Sequence, residues 1–214
     1  MTKLRNLTCL SALGAAALVA SSCDRPATPV SPQANRPLFH EGAVPCPAAK
    51  MTGGGRIDYP PGEATKNPPA SHLYETFGAH VFSEGGMDQN GNCIGLKGSL
   101  EWVDHRDEWR KYDGRPLNLH SIEIGFVERI FPGDCKDGAL RWGGTLLVKN
   151  TGEVFPFTVL DCDGGEPGVG HDGFELFIPN EAAPSYAVTC PNRRSSSPPF
   201  CVLTGGNRQF HPTH

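Results

Sequence analysis

The chain has 214 residues, enough for one domain with appendages and a substantial core. Its 26 glycines and 20 prolines exceed a fifth of the residues against 38% hydrophobics, which argues against a helical bundle and for a turn-rich β protein. A formal net charge of −4 with no basic run excludes a surface built to neutralise nucleic-acid phosphates.

The first residues read as a targeting segment. Lys3 and Arg5 supply a positive start, and Leu10 to Ala20 is an apolar run too short to span a bilayer comfortably. It ends in Ala20-Ser21-Ser22-Cys23, which resembles the lipobox of bacterial lipoproteins, with Ala20 where that family usually carries leucine. The resemblance implies that residues 1–22 are a signal peptide and that Cys23 becomes the acylated N-terminus. An ordinary secretory signal cleaved near Ala20–Ser22 is the alternative. Removing residues 1–22 takes away Lys3 and Arg5 and no acidic residue, so the charge moves from −4 to −6. Membrane association is then expected through lipid and not through charge.

Residues 23–45 form the next unit, a Pro-rich linker. Six prolines lie between Pro26 and Pro47, with almost no apolar periodicity. This composition predicts a disordered, extended tether, able to reach about 70 Å in polyproline II form. The folded part, a single domain over residues 46–214, is expected to begin at Cys46.

Beyond Cys9 and Cys23, six cysteines remain, and an even number in an exported chain predicts three disulfides. We pair Cys190 with Cys201, Cys135 with Cys162 and Cys46 with Cys93. A zinc site is the rival, but no C-x-x-C pair occurs.

Along the domain, Met51–Tyr59 reads as a first strand with a glycine-rich start, and Leu73–Phe82 as a second. Gly85–Asn92 is turn chemistry around Asn90-Gly91. Ile94–Val103 alternates, with Ile94, Leu96, Leu100 and Trp102 on one face. Arg106–Arg115 reads as a solvated charged loop. Leu117–Phe131 is a long strand whose parity switches near His120-Ser121, as a bulge would cause. Leu140–Val148 alternates again, and Asn150-Thr151-Gly152 turns it into Val154–Leu160. Pro156 in that strand cannot donate to a ladder and calls for an edge or a bulge. Gly173–Ile178, Tyr186–Cys190, Phe200–Thr204 and Arg208–His211 close the domain. Nine or ten short strands without a convincing helix predict an all-β, antiparallel β-sandwich.

Four landmarks follow one another: Thr52-Gly53-Gly54-Gly55-Arg56-Ile57, Gly98-Ser99-Leu100-Glu101-Trp102-Val103-Asp104-His105, the Asp161–Phe174 loop with its Gly-Glu-Pro-Gly centre, and Gly205-Gly206-Asn207. Together they resemble the post-choice-of-anchor type of bacterial surface module, a family of secreted β domains with no assigned activity. The resemblance covers about Met51 to His211 and implies an architecture and a compartment, not a reaction. The six cysteines, the charged Arg106–Arg115 stretch and extra loop residues depart from the pattern.

The richest chemistry lies between Val154 and Asn180. Asp161, Asp163, Glu166 and Asp172, with His171 among them, crowd one glycine-rich loop and offer oxygen ligands to calcium, which takes six to eight. Gly165 stands where a D-x-D-x-D-G loop would place its third ligand. The other reading is a turn whose Asp side chains bind their own backbone. A hydrolytic site would draw on Ser99, Ser121, Asp104, His105 and His120, but no nucleophile elbow occurs. A transition-metal site from His105, His120, His171, His211 or His214 lacks any H-x-H or H-E-x-x-H spacing. Among Trp102, Trp109, Trp142, Tyr112 and Phe155, alternation assigns Trp102 and Trp142 to packing and leaves Trp109 and Tyr112 as a surface pair for a sugar or protein. The expected function is that of a non-enzymatic structural or binding module. It would be exported and lipid-anchored on the periplasmic or extracytoplasmic face of a bacterial membrane, with an envelope protein or glycan as partner. A calcium-dependent binding module is the alternative, and a hydrolase comes third.

Overall fold

The computed structural model describes residues 43–59, 73–105, 115–179 and 200–212. Among them are ten strands and no helix. They are β1 (Val44–Pro45), β2 (Ala49–Tyr59), β3 (Leu73–Ser83), β4 (Lys97–Asp104), β5 (Leu117–Ile130), β6 (Gly138–Val148), β7 (Val154–Asp163), β8 (Gly173–Phe177), β9 (Cys201–Val202) and β10 (Gly205–Pro212). All pairings are antiparallel, and one continuous sheet runs β10-β2-β3-β4-β5-β6-β7-β8-β9, with β1 added to β5. The all-β sandwich is thus made by a single sheet that curls until its two halves face each other.

Alternation explains the core. Met51, Ile57, Val81, Leu100, Leu119, Leu140, Leu146, Val148, Val159 and Leu176 point to one face and are buried. At its centre Phe77 and Phe174 stack with ring centroids 3.9 Å apart, and Trp102 stacks on both at 5.6 and 5.8 Å. A second cluster gathers Ile130, Cys135, Ala139, Cys162, Phe200 and Val202. Ala139 and Cys162 are one residue removed from core positions Leu140 and Asp161, so this cluster covers the sheet's other face.

Curling has a local cause. The predicted parity switch in β5 is present as two register shifts against β6, at Ser121/Glu123 and Ile124/Phe126. Gly144 lies opposite, where a Cβ would stand 2.1 Å from the Glu123 carbonyl oxygen, so only glycine admits this close approach. Pro156 is paired with Thr145 of β6, but β8 reaches no further than Thr158. On the β8 side Pro156 therefore has no ladder to interrupt.

Other boundaries differ from expectation. β4 begins at Lys97, and Ile94 is exposed in a turn instead of lying in the core. The turn is closed by Glu84 N–H donating to the Ile94 carbonyl and Ile94 N–H to that of Gly86. The Cys46–Cys93 disulfide pins it, and Gly95 takes a positive φ of 64°. Alternation cannot register such a closure. Cys135–Cys162 is the second bridge. Cys201 is also disulfide-bonded, while its expected partner Cys190 and the Tyr186–Cys190 strand lie outside the described residues. The same is true of the signal peptide, Cys23 and residues 23–42 of the tether, whereas Val44–Pro45 at its end form β1 on β5, so the ordered part begins before Cys46.

Candidate functional site

The acidic loop joins β7 to β8, and its carboxylates face β10. Asp161, near the end of β7, lies on the core side of the strand and is almost fully buried. Arg208 of β10, with no exposed surface, donates from Nε to Asp161 Oδ1 at 2.7 Å and from a terminal nitrogen to Oδ2. Trp142 Nε1 donates to the same carboxylate at 3.1 Å. A third donor of Arg208 reaches the Ala79 carbonyl at 2.8 Å, and its guanidinium lies 5.5 Å from the Phe174 ring centroid and 5.8 Å from that of Phe77. A desolvated charge needs this degree of pairing and hydrogen bonding to be tolerated.

Asp163 and Asp172 act on backbone. Asp163 accepts from Phe210 N–H at 2.8 Å and Gly165 N–H at 3.0 Å. Asp172 accepts from Arg208 N–H at 2.6 Å and Gly164 N–H at 2.9 Å. Burial pushes the Asp172 carboxyl above the ordinary aspartate range, with Asp163 and Glu166 adding repulsion and the two amides opposing the shift. Glu166, exposed, receives Asn207 Nδ2 at 2.7 Å. β10 therefore has a strand ladder to β2 on one side and a row of carboxylates on the other. The Arg208 and Phe210 amides, which would otherwise form an open sheet edge, are closed by side chains.

This arrangement realises the turn reading of the loop: Asp163 binds the Gly165 amide and Asp172 the Gly164 amide. Among the described residues no three His, Cys, Asp or Glu side chains form a group able to hold a metal ion, and the Asp161, Asp163, Glu166 and Asp172 oxygens serve hydrogen bonds within the chain. His171 is exposed at the loop. Arg208, the partner that organises the site, escaped the sequence reading. Its signal was there: two residues from Phe210, it shares the core face of an alternating strand.

The remaining candidates are scattered. Asp104 is buried opposite Glu75, and the His105 ring stacks on Tyr74 with centroids 4.2 Å apart. His120 lies beside Glu101, which also receives Lys149 Nζ at 3.3 Å. Ser121 Oγ accepts from Leu100 N–H at 2.8 Å, while Ser99 Oγ meets His80 Nδ1 at 3.0 Å. His211 Nε2 lies 3.4 Å from Thr52 Oγ1. Trp102 and Trp142 are core residues and Phe155 packs against the core. Trp109, Tyr112 and His214 lie outside the described residues. Compared with known proteins, the chain matches no family model, no curated protein and no solved structure.

Proposed function

We propose that the chain is a lipoprotein of a bacterial cell envelope, carrying a structural or binding β module at the end of a Pro-rich tether. The observation that carries this reading is the order Lys3/Arg5, short apolar run, Ala20-Ser21-Ser22-Cys23, Pro-rich stretch. The two disulfides support it, because such bridges persist in oxidising compartments outside the cytoplasm. The ordered landmarks that resemble post-choice-of-anchor modules support it independently. The acylated Cys23 holds the protein to the periplasmic or extracytoplasmic face, and the tether lets the domain reach an envelope protein or glycan. Mass spectrometry of the mature N-terminus tests the reading. A lipid mass shift on Cys23, with release of Cys23→Ser into the soluble fraction, is the expected result. An unmodified N-terminus sinks the anchoring.

A further inference from the structure

One cation of the described residues lies against two aromatic rings and makes no ion pair with a described residue. Arg129, at the end of β5, has its guanidinium carbon 4.9 Å from the Phe210 ring centroid and 5.4 Å from that of Phe131. Its Nε is buried with no hydrogen-bond partner. Three buried acids of β5 and β7 are engaged elsewhere: Glu128 binds Arg141, Asp161 binds Arg208, and Asp163 accepts two amides. Phe210 is core, but Phe131 is 64% exposed, and Val44, directly opposite Arg129 in the β1–β5 pairing, is 47% exposed. A fixed guanidinium is therefore flanked by an open aromatic face and an apolar shoulder.

We infer that Arg129, Phe131 and Val44 form a binding platform for the carboxylated sugar ring of an acidic glycan. The guanidinium matches a carboxylate in two-point geometry and charge. The flat Phe131 ring offers stacking area to the apolar face of a pyranose, which a peptide carboxylate lacks. The two rings hold the cation in place, so little rotamer freedom remains to be lost on binding. The platform belongs to the folded domain and stands whether or not Cys23 carries lipid.

The test titrates the full chain, in detergent, with trigalacturonic acid, its methyl ester and hexaglutamate, read by calorimetry and backbone amide spectra. Trigalacturonic acid is expected to bind saturably and shift the amides of Val44 and Arg129–Phe131. The methyl ester should bind about tenfold more weakly, as should the acid to Arg129→Gln and Phe131→Ala, each losing one of the two recognition elements. Phe131 is surface-exposed, so its variant keeps the fold even if Arg129→Gln does not; Arg129→Lys, retaining charge without the fork, should fall in between. Absence of saturable binding, or affinity unchanged in Phe131→Ala, overturns the platform. Equal or tighter binding of hexaglutamate overturns the sugar assignment in favour of an acidic peptide.

Discussion

Asp161 and Arg208 set the terms at the scale of single residues. Each is buried, so removing one leaves the other charge uncompensated. Arg208→Met is expected to cost about 3–5 kcal/mol in urea unfolding, whereas Arg208→Met combined with Asp161→Leu should cost less than that single change. The residue of that double variant's cost is assigned to Trp142 Nε1, which loses its acceptor. Asp172 supplies a pH dependence with a definite sign. Its folded-state carboxyl is raised, so its contribution is fully present below the ordinary aspartate range and is lost as pH rises through the raised value. Asp172→Asn turns an NH2 towards one of two amide donors and should destabilise by roughly 1–3 kcal/mol. The gap to the parent protein should be widest in acid and narrow as pH rises through that window, which stability curves at several pH values will read. That these carboxylates are acidic and crowded was legible in the chain; that they point inwards to β10 was not, because their partners lie 36 to 47 positions away.

Elements hold together through pattern and through covalent closure. β6 was legible almost to the residue because Leu140, Trp142, Leu146 and Val148 keep one parity from end to end. The bulge in β5 was legible for the same reason, as a break in parity. Ile94 was misassigned because its outward turn depends on a disulfide and two backbone bonds that alternation does not encode. Removing each bridge by Cys→Ser pairs tests that closure. In the chain-entropy account the loss is about 3.5 kcal/mol for Cys135–Cys162 and about 4 kcal/mol for the longer Cys46–Cys93 loop. Melting temperatures should rank in that order. Gly173 marks where β8 and the residue before β9 pack: a Cβ there would stand 1.7 Å from the Phe200 ring. Gly173→Ala is expected to lower stability by about 1–3 kcal/mol through overpacking.

For the whole molecule, closure of the sheet is the property on which a ligand reading turns. The carboxylates that offered a calcium site fasten β10 across the curl, so calcium would have to displace amides of Gly164, Gly165, Arg208 and Phe210. Thermal melts with calcium and with chelator should therefore coincide. A saturable rise in Tm, abolished in Asp161→Asn and Asp163→Asn, would return the loop to metal binding. The proposed compartment, tether and anchor rest on the chain as a string: a charged start, an apolar run, a cysteine and spaced prolines are local features. The all-β class was determined by the sequence itself, since glycine, proline and two-residue alternation leave helices little room. Tertiary structure alone decided, among the described residues, that ten strands form one curled sheet, that Arg208 lies inside it and that the buried Arg129 Nε has no hydrogen-bond partner. Whether a charge is paired depends on strands distant in sequence, and burial makes that pairing strong without leaving a local mark.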